Sequence, residues 1–289
     1  VGSEVQRRKM EKIEIRAYAK INMSLSAGKR ESSNFHPIHS LVLPIDLCDT
    51  VFVRRREDGI VRVKCGNIPA ENNTAYKAAK AFSTYFNTPG ADIAVEKKIP
   101  VGGGLGGSSA DAAAVLKAMS LIYEIEDFDA VENIAQNIGK DVPVMLSGEA
   151  CIVSGYGEVC ESVELETDAA AVIVTCPYSN DTSLIYSTFD DLVDPVLDCE
   201  RAYKLLEKLR AGDLSGATAF MKNDLALPAY TANPEMSAIR DRLVKLGYHP
   251  FVTGSGSCQF IFTPSYAGAY STAQRLSGAF NVFPVRFLI

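Results

Sequence analysis

Five glycines in six positions, Gly102-Gly103-Gly104-Leu105-Gly106-Gly107, run straight into Ser108-Ser109 and an alanine-rich stretch. So many glycines cost backbone entropy, and a folded chain keeps them where its backbone must approach something closely. At the mouth of a helix, free N–H groups and the positive dipole end form an anion site, to which the two serines add hydroxyls. The chemistry indicated is a phosphate cradle. The spacing Ser108-x-x-Asp111 also predicts a capping box with Asp in place of Glu. A Walker loop needs Lys where Gly107 stands, so a P-loop NTPase is excluded. Gly102-x-Gly104-x-x-Gly107 does satisfy the dinucleotide fingerprint literally. However, Lys97-Lys98-Ile99-Pro100 before it and Tyr123–Phe128 after it do not read as a βαβ unit. That alternative stays open to a melting test of NAD against ATP.

Two charged residues stand where charge is unexpected. Lys20 lies in the apolar run Ala19–Leu25, where an unpaired ammonium is costly to bury. Asp141 falls between the helix-ending Gly139 and the apolar run Val142–Leu146. A Lys20–Asp141 pair would resolve that cost and hold the carboxylate ionised. The bland alternatives are a solvent-facing strand lysine and an ordinary loop or cap carboxylate. Asn22 faces the same way as Lys20 along a strand. A second tight glycine turn is Gly254-Ser255-Gly256-Ser257. The histidines are His36, His39 and His249, of which His39 is expected to be exposed and His249 a strand-edge residue. With seven cysteines at no CxxC spacing, the chain offers no zinc template and no Ser/His/Asp arrangement.

The elements that must position these groups follow from periodicity. Alternation from Lys12 to Leu25 predicts a long or bent strand, and further strands are expected at Ile38–Leu47, Thr50–Arg55, Ile60–Lys64 and Ala91–Glu96. Helices are expected at Thr74–Phe86, after the glycine loop, and at Phe128–Ile138 with Gly139 closing it. Strands at Glu149–Ser154 and Ala169–Cys176 follow, and the turn Ser154–Val159 is the expected domain junction. Later helices are expected near Asp198–Leu209, Leu214–Lys222 and Asn233–Leu246, the last started by Asn233 as cap and Pro234. FVTGSGSCQFIF reads as two strands about the glycine turn. A helix near Tyr266–Leu276 and a strand near Phe280–Phe287 end the pattern. The mixture predicts an α+β protein.

Three of these segments carry a family resemblance. Pro100–Ala113, PVGGGLGGSSADAA, resembles the phosphate-binding motif of the GHMP small-molecule kinases. Ala19–Leu25 (AKINMSL) and Val252–Phe260 (VTGSGSCQF) resemble that family's other motifs, in the same order. Gly28-Lys29-Arg30, His36, Ser40, Ile45–Asp49, Gly139–Pro143, Leu146–Gly148 and Asn223–Leu225 fit as well, within the branch whose acceptor carries a cytidyl group. The likeness covers nearly all of Glu11–Ile289.

The resemblance implies a two-domain GHMP kinase fold, with an N-terminal ATP-binding α/β domain and a C-terminal ferredoxin-like domain flanking one cleft. The expected division is a leader or cloning remnant at 1–9, then 10–157 and 158–289. It implies ATP and Mg²⁺, with Lys20 and Asp141 as catalytic residues and Asp141 as the base. Gly102, Gly103, Gly104, Leu105, Gly106, Gly107, Ser108 and Ser109 would surround the ATP phosphates, with Ser108 at the metal. Asn73 would lie near the adenine, while Asn72 reads as the cap of the helix from Thr74. The Gly254–Ser257 turn would lie near the reacting groups. Asn22 would contact the acceptor, Phe35 and Tyr186 would stack on its cytosine, and His36 would hydrogen-bond it. Ser33-Asn34-Phe35-His36 departs from the family's usual Asp-Gly-Tyr-His, which bears on acceptor affinity. Alternatives are a homoserine- or mevalonate-type kinase of the same family, or a silent nucleotide-binding regulator.

The whole-chain figures set the frame. The length of 289 residues suggests two domains at about 150 residues each. A composition 47% hydrophobic excludes disorder, and a net charge of −6 argues against a nucleic-acid binder. The expectation is a cytoplasmic enzyme, monomer or homodimer, with no membrane or nucleic-acid partner and its cysteines reduced.

Overall fold

The computed structural model describes residues 10–66 and 68–289, and the leader assigned to 1–9 lies outside them. Alternation at Ile13, Ile15 and Ala17 builds β1 (Lys12–Asn22). After the two-residue β2 (Ser26–Ala27), β3 (Ile38–Arg55) returns antiparallel to β1, with a register shift between Tyr18 and Lys20. Beyond that shift both faces of β1 are covered, which is how Lys20 comes to be buried beside Ala19 and Ile21. The two strands expected at 38–47 and 50–55 are one. Asp49 does not interrupt it, because its carboxylate accepts the backbone N–H groups of Lys98 and Ile99.

The next elements are β4 (Arg62–Lys64), α1 (Thr74–Phe86), β5 (Ala91–Glu96), α2 (Gly107–Tyr123), α3 (Phe128–Ile138), α4 (Val142–Ser147), β6 (Cys151–Ser154) and β7 (Val159–Ser162). The first sheet has the order β4-β5-β3-β6-β7, with β1 and β2 also paired to β3. Ala110, Ala112, Ala113, Ala114 and Ala118 are all buried, so α2 presses closely on β1 and α1. Gly139 ends α3 in an extended conformation rather than a left-handed one. α2 leads into α3 and not back to a parallel strand, so the loop does not belong to a βαβ unit. β7 went unanticipated because VCES is short and mostly exposed. Its hairpin with β6 keeps residues to Ser162 in the first sheet.

The remainder comprises β8 (Ala170–Val174), α5 (Thr182–Leu192), α6 (Glu200–Arg210), α7 (Leu214–Thr218), α8 (Ala226–Ala232), α9 (Pro234–Lys245), β9 (Pro250–Val252), β10 (Gln259–Thr263), α10 (Tyr266–Leu276) and β11 (Val282–Arg286). The second sheet is antiparallel throughout, in the order β11-β8-β10-β9. Asn233 does cap α9, accepting the Met236 N–H ahead of Pro234. α5 and α8 were not foreseen, although Asp181 caps α5 by accepting the Ser183 N–H. One apolar cluster spans the two sheets, joining Ile21, Leu41 and Leu43 of the first to Ile173 and Phe260 of the second. Backbone bridges Leu25–Asn223 and Ile45–Phe287 tie the halves together. Among the described residues, no helix is long and apolar enough to cross a membrane.

Candidate active site

A cleft of about 720 Å³ opens between the glycine loop, β1, the Asp141 corner and the Gly254–Gly256 turn. Each of these is fixed by packing. Gly104, at φ +75°, lies so close to the second turn that an added Cβ would meet the Thr253 carbonyl at 2.2 Å. Backbone bonds from Ser257 N to Gly102 O and from Cys258 N to Gly103 O, at 3.2 and 3.0 Å, zip the two glycine segments together. Lys20 N donates to Leu105 O at 3.0 Å and pins β1 to the same loop. The loop therefore presents α2 end-on to the cleft. Gly107, Ser108 and Ser109 form its first turn, whose N–H groups have no helical acceptor.

The expected capping box does not form. Gly106, at φ +72°, is the cap, which places Ser108 inside the first turn and Asp111 in the helix proper. Asp111 is instead buried and accepts a 2.7 Å hydrogen bond from Lys97 Nζ, which also donates to Asp49. Among the described residues its Oδ1 has no partner. Burial pushes the Asp111 carboxyl up to about 7 against the pull of Lys97. Lys97 and Asp111 both line the cleft, and neither is marked by the sequence as a site residue: one falls in the segment between a strand and the glycine loop, the other reads as part of a capping box. At α1 the cap is Asn73, not Asn72; its side chain accepts the Ala75 N–H at 2.8 Å while both asparagines line the cleft.

Lys20 and Asp141, 121 positions apart in the chain, are brought to 3.4 Å. Lys20 is buried, whereas the Asp141 side chain is 42% exposed and opens to the cleft. Asp141 precedes α4 without capping it, so its oxygens are not consumed by backbone. Lys20 Nζ also donates to Asn22 Oδ1 at 2.5 Å, and Asn22 Nδ2 donates to Ser40 Oγ at 2.8 Å. The ammonium is thus held by one amide oxygen and one carboxylate, and the stem behind it runs against the glycine loop, where a Cβ at Gly106 would meet Lys20 Cε at 3.2 Å. The second turn is braced by Asn180, which no motif marks, and by Asn223 of the Asn223–Leu225 segment. Asn180 donates to Ser255 O at 2.7 Å, and Asn223 Nδ2 donates to Val252 O and Gly254 O.

The far end of the cleft is aromatic. Tyr186, from α5, stacks on His36 with ring centres 4.9 Å apart. His36 Nδ1 lies 3.0 Å from Gly28 O, and among the described residues the buried Nε2 has no hydrogen-bond partner, with Asp190 at 3.4 Å. Phe35 is 51% exposed and leans toward Tyr156, at 5.8 Å, rather than toward Tyr186. Phe35, His36 and Tyr186 all line the same cleft, and Tyr156 and Lys140 join them. His39, expected to be exposed, is buried against Tyr203, and burial lowers its pKa.

Comparison with known proteins gives a consistent picture. Residues 73–149 match the family model described as GHMP kinases N terminal domain, and 205–282 match GHMP kinases C terminal. A 4-diphosphocytidyl-2-C-methyl-D-erythritol kinase of Thermodesulfovibrio yellowstonii is 31% identical over 252 residues, covering 85% of this chain and 87% of that protein. The Listeria innocua protein of the same name is 31% identical over 273 residues, covering 92% and 93%. A solved 4-(cytidine 5'-diphospho)-2C-methyl-D-erythritol kinase superposes with a TM-score of 0.77 at 29% identity, over 95% of this chain and 99% of that one. The homoserine kinase of Cytophaga hutchinsonii shares the fold, with a TM-score of 0.73 at 17% identity over 97% and 96%.

Proposed function

The chain belongs to the GHMP kinases, and from that premise we propose that it phosphorylates the 2-hydroxyl of 4-diphosphocytidyl-2-C-methyl-D-erythritol at the expense of ATP. The observation that carries the reading is the Lys20–Asp141 pair, 3.4 Å apart and facing a glycine loop that heads a helix. Family membership places the chain among ATP users, and the loop fits the phosphates.

Transfer needs aligned reactants, charge neutralisation and an acceptor for the hydroxyl proton. The acceptor oxygen forms a bond to the γ-phosphorus as the bond to the β-phosphate oxygen breaks, and the hydroxyl proton passes to Asp141. Lys20 holds Asp141 ionised and sets positive charge against the transferring group. The N–H groups of the loop and of the first turn of α2 bind the phosphates that become ADP. Asn73, which lines the cleft, would lie near the adenine.

Mg²⁺ fits this donor set as an ion carried by phosphate oxygens. Among the described residues no group of three or more His, Cys, Asp or Glu could hold a metal by itself, and Mg²⁺ commonly takes only one or two protein oxygens beside phosphates. The Ser108 hydroxyl, in the first turn of α2, would be its protein ligand. When bound, the ion neutralises phosphate charge.

At the other end, Phe35 and Tyr186 would hold the cytosine, His36 would hydrogen-bond it, and Asn22 would contact the acceptor. A carboxylate-bearing acceptor, as in a homoserine kinase, fits less well: among the described residues Arg30 is the arginine lining the cleft, and it is bound at 2.5 Å to Asp190. The reading carries with it a cytoplasmic setting, a monomer or homodimer, and a division of the domains after Ser162. ATP-dependent phosphorylation should be assayed with the cytidyl acceptor, homoserine and mevalonate, using wild type and Asp141→Asn. Turnover of the cytidyl acceptor alone is expected. Turnover of homoserine alone would overturn the substrate, and full activity in Asp141→Asn would overturn the base.

A further inference from the structure

Among the described residues four lysine or arginine side chains line the cleft, and three are occupied by their neighbours: Lys20 by Asn22 and Asp141, Lys97 by two aspartates, Arg30 by Asp190. The fourth, Lys140, is differently placed. Its ion pair is with Glu158 at 3.5 Å, and its side chain is 43% exposed. Its ammonium lies 5.5 Å from the centre of the Phe35 ring and 5.7 Å from that of Tyr156, so two aromatic faces frame it. Tyr156 is fixed in turn by its hydroxyl, which donates to Glu31 at 2.6 Å, and by its backbone N–H, which donates to Glu158 at 3.0 Å.

The position is what matters. Lys140 precedes Asp141 in the chain and its ammonium lies over Phe35, so this residue links the acidic corner to the aromatic end of the cleft. An acceptor with its cytosine at Phe35, His36 and Tyr186 and its hydroxyl at Asp141 must lay its diphosphate between them. We infer that the Lys140 ammonium, framed by Phe35 and Tyr156, binds the diphosphate bridge of the acceptor substrate. The inference rests on the acceptor proposed above. ATP also carries phosphates, but the ring and ion-pair contacts of Lys140 are all with Phe35, Tyr156 and Glu158, and none is with the glycine loop. Glu158 then acts as a resident anion that the diphosphate displaces.

The test compares Lys140→Met, Lys140→Arg and Glu158→Gln with wild type, by calorimetric titration of CDP and of cytidine and by steady-state kinetics. Lys140→Met should weaken CDP binding about tenfold, as expected for one charge-assisted contact, while cytidine binds as in wild type. Lys140→Arg should recover most of the loss. Glu158→Gln should tighten CDP, since it removes the competing anion. The KM for the cytidyl acceptor should rise in Lys140→Met and the KM for ATP should not. Equal weakening of CDP and cytidine, no weakening of either, or a shift of CDP affinity in the same direction in Lys140→Met and Glu158→Gln overturns the inference in favour of a hairpin brace. A rise in the KM for ATP alone assigns Lys140 to the donor and overturns it too. A wild type that turns over the acceptor beside an unaffected Lys140→Met sinks this inference alone. A wild type that neither binds cytidine nor phosphorylates the acceptor sinks the proposed function and this with it.

Discussion

At the scale of single residues, the cleft rests on charges whose cost of burial is met locally. Lys20 is buried because Asn22 and Asp141 receive it, and Asp141 stays open to the cleft because it caps nothing. Asp141→Asn keeps the shape but removes the proton acceptor, so kcat should fall by about 10²–10⁴-fold with melting temperature little changed. Lys20→Met should lower kcat by roughly 10²–10³-fold, read in the same assay. Asp111 carries a prediction about pH. Burial raises its carboxyl from 3.8 to about 7, so the folded protein holds a proton that the unfolded chain has already released. Stability from this group is therefore full below about pH 4 and declines as pH rises toward about 7. In a paired pH series, wild type should lose melting temperature relative to Asp111→Asn across that window. Parallel curves would show that Asp111 does not titrate there.

At the scale of elements, two turns and a helix head are built against one another, and their glycines are matters of clearance. A Cβ at Gly104 would collide with the Thr253 carbonyl, and φ +75° is already unfavourable for a side chain. Gly104→Ala should part the two glycine segments, lowering melting temperature by several degrees and raising the KM for ATP more than that for the acceptor. An unchanged KM for ATP would mean the loop is not the phosphate cradle. The cap at Asn73 is a separate matter: Asn73→Ala should cost about 1 kcal/mol of stability, measured by denaturant unfolding. The turn at Ser154–Val159 was legible as a turn from its glycines, yet as a junction it falls inside the β6–β7 hairpin. Only cross-strand pairing could reveal that, because VCES carries little apolar signal of its own. α5 was hidden for a related reason, since its β-branched and aromatic residues compete with its cap as a helix signal.

At the scale of the whole molecule, the cluster containing Ile21, Leu43, Ile173 and Phe260 makes the two sheets share a core. Phe260 is fully buried within it. Phe260→Ala should cost about 3–5 kcal/mol and lower the melting temperature by roughly 10 °C. Hydrogen exchange should show amides of β1 and β8 losing protection together; loss confined to β8 would mean the halves unfold independently. The net charge of −6 does not oppose a polyanionic ligand, because the cleft supplies backbone N–H groups, a helix terminus and lysines locally.

What the sequence by itself determined is whatever depends on neighbours along the chain. The glycine run at the head of a helix, the buried alternation of β1, the Asn233-Pro234 start and the ordered motifs with their family likeness are all of that kind. Their signals arise from backbone freedom and from side-chain period, which are local properties. Tertiary structure alone decided which partner each polar group would take. It gave Asp111 to Lys97 rather than to a cap, paired Phe35 with Tyr156 and Tyr186 with His36, and set Lys140 between two rings. Those choices turn on distances between atoms far apart in the chain and on the desolvation each group suffers there, and neither quantity exists until the two sheets have closed on their common core.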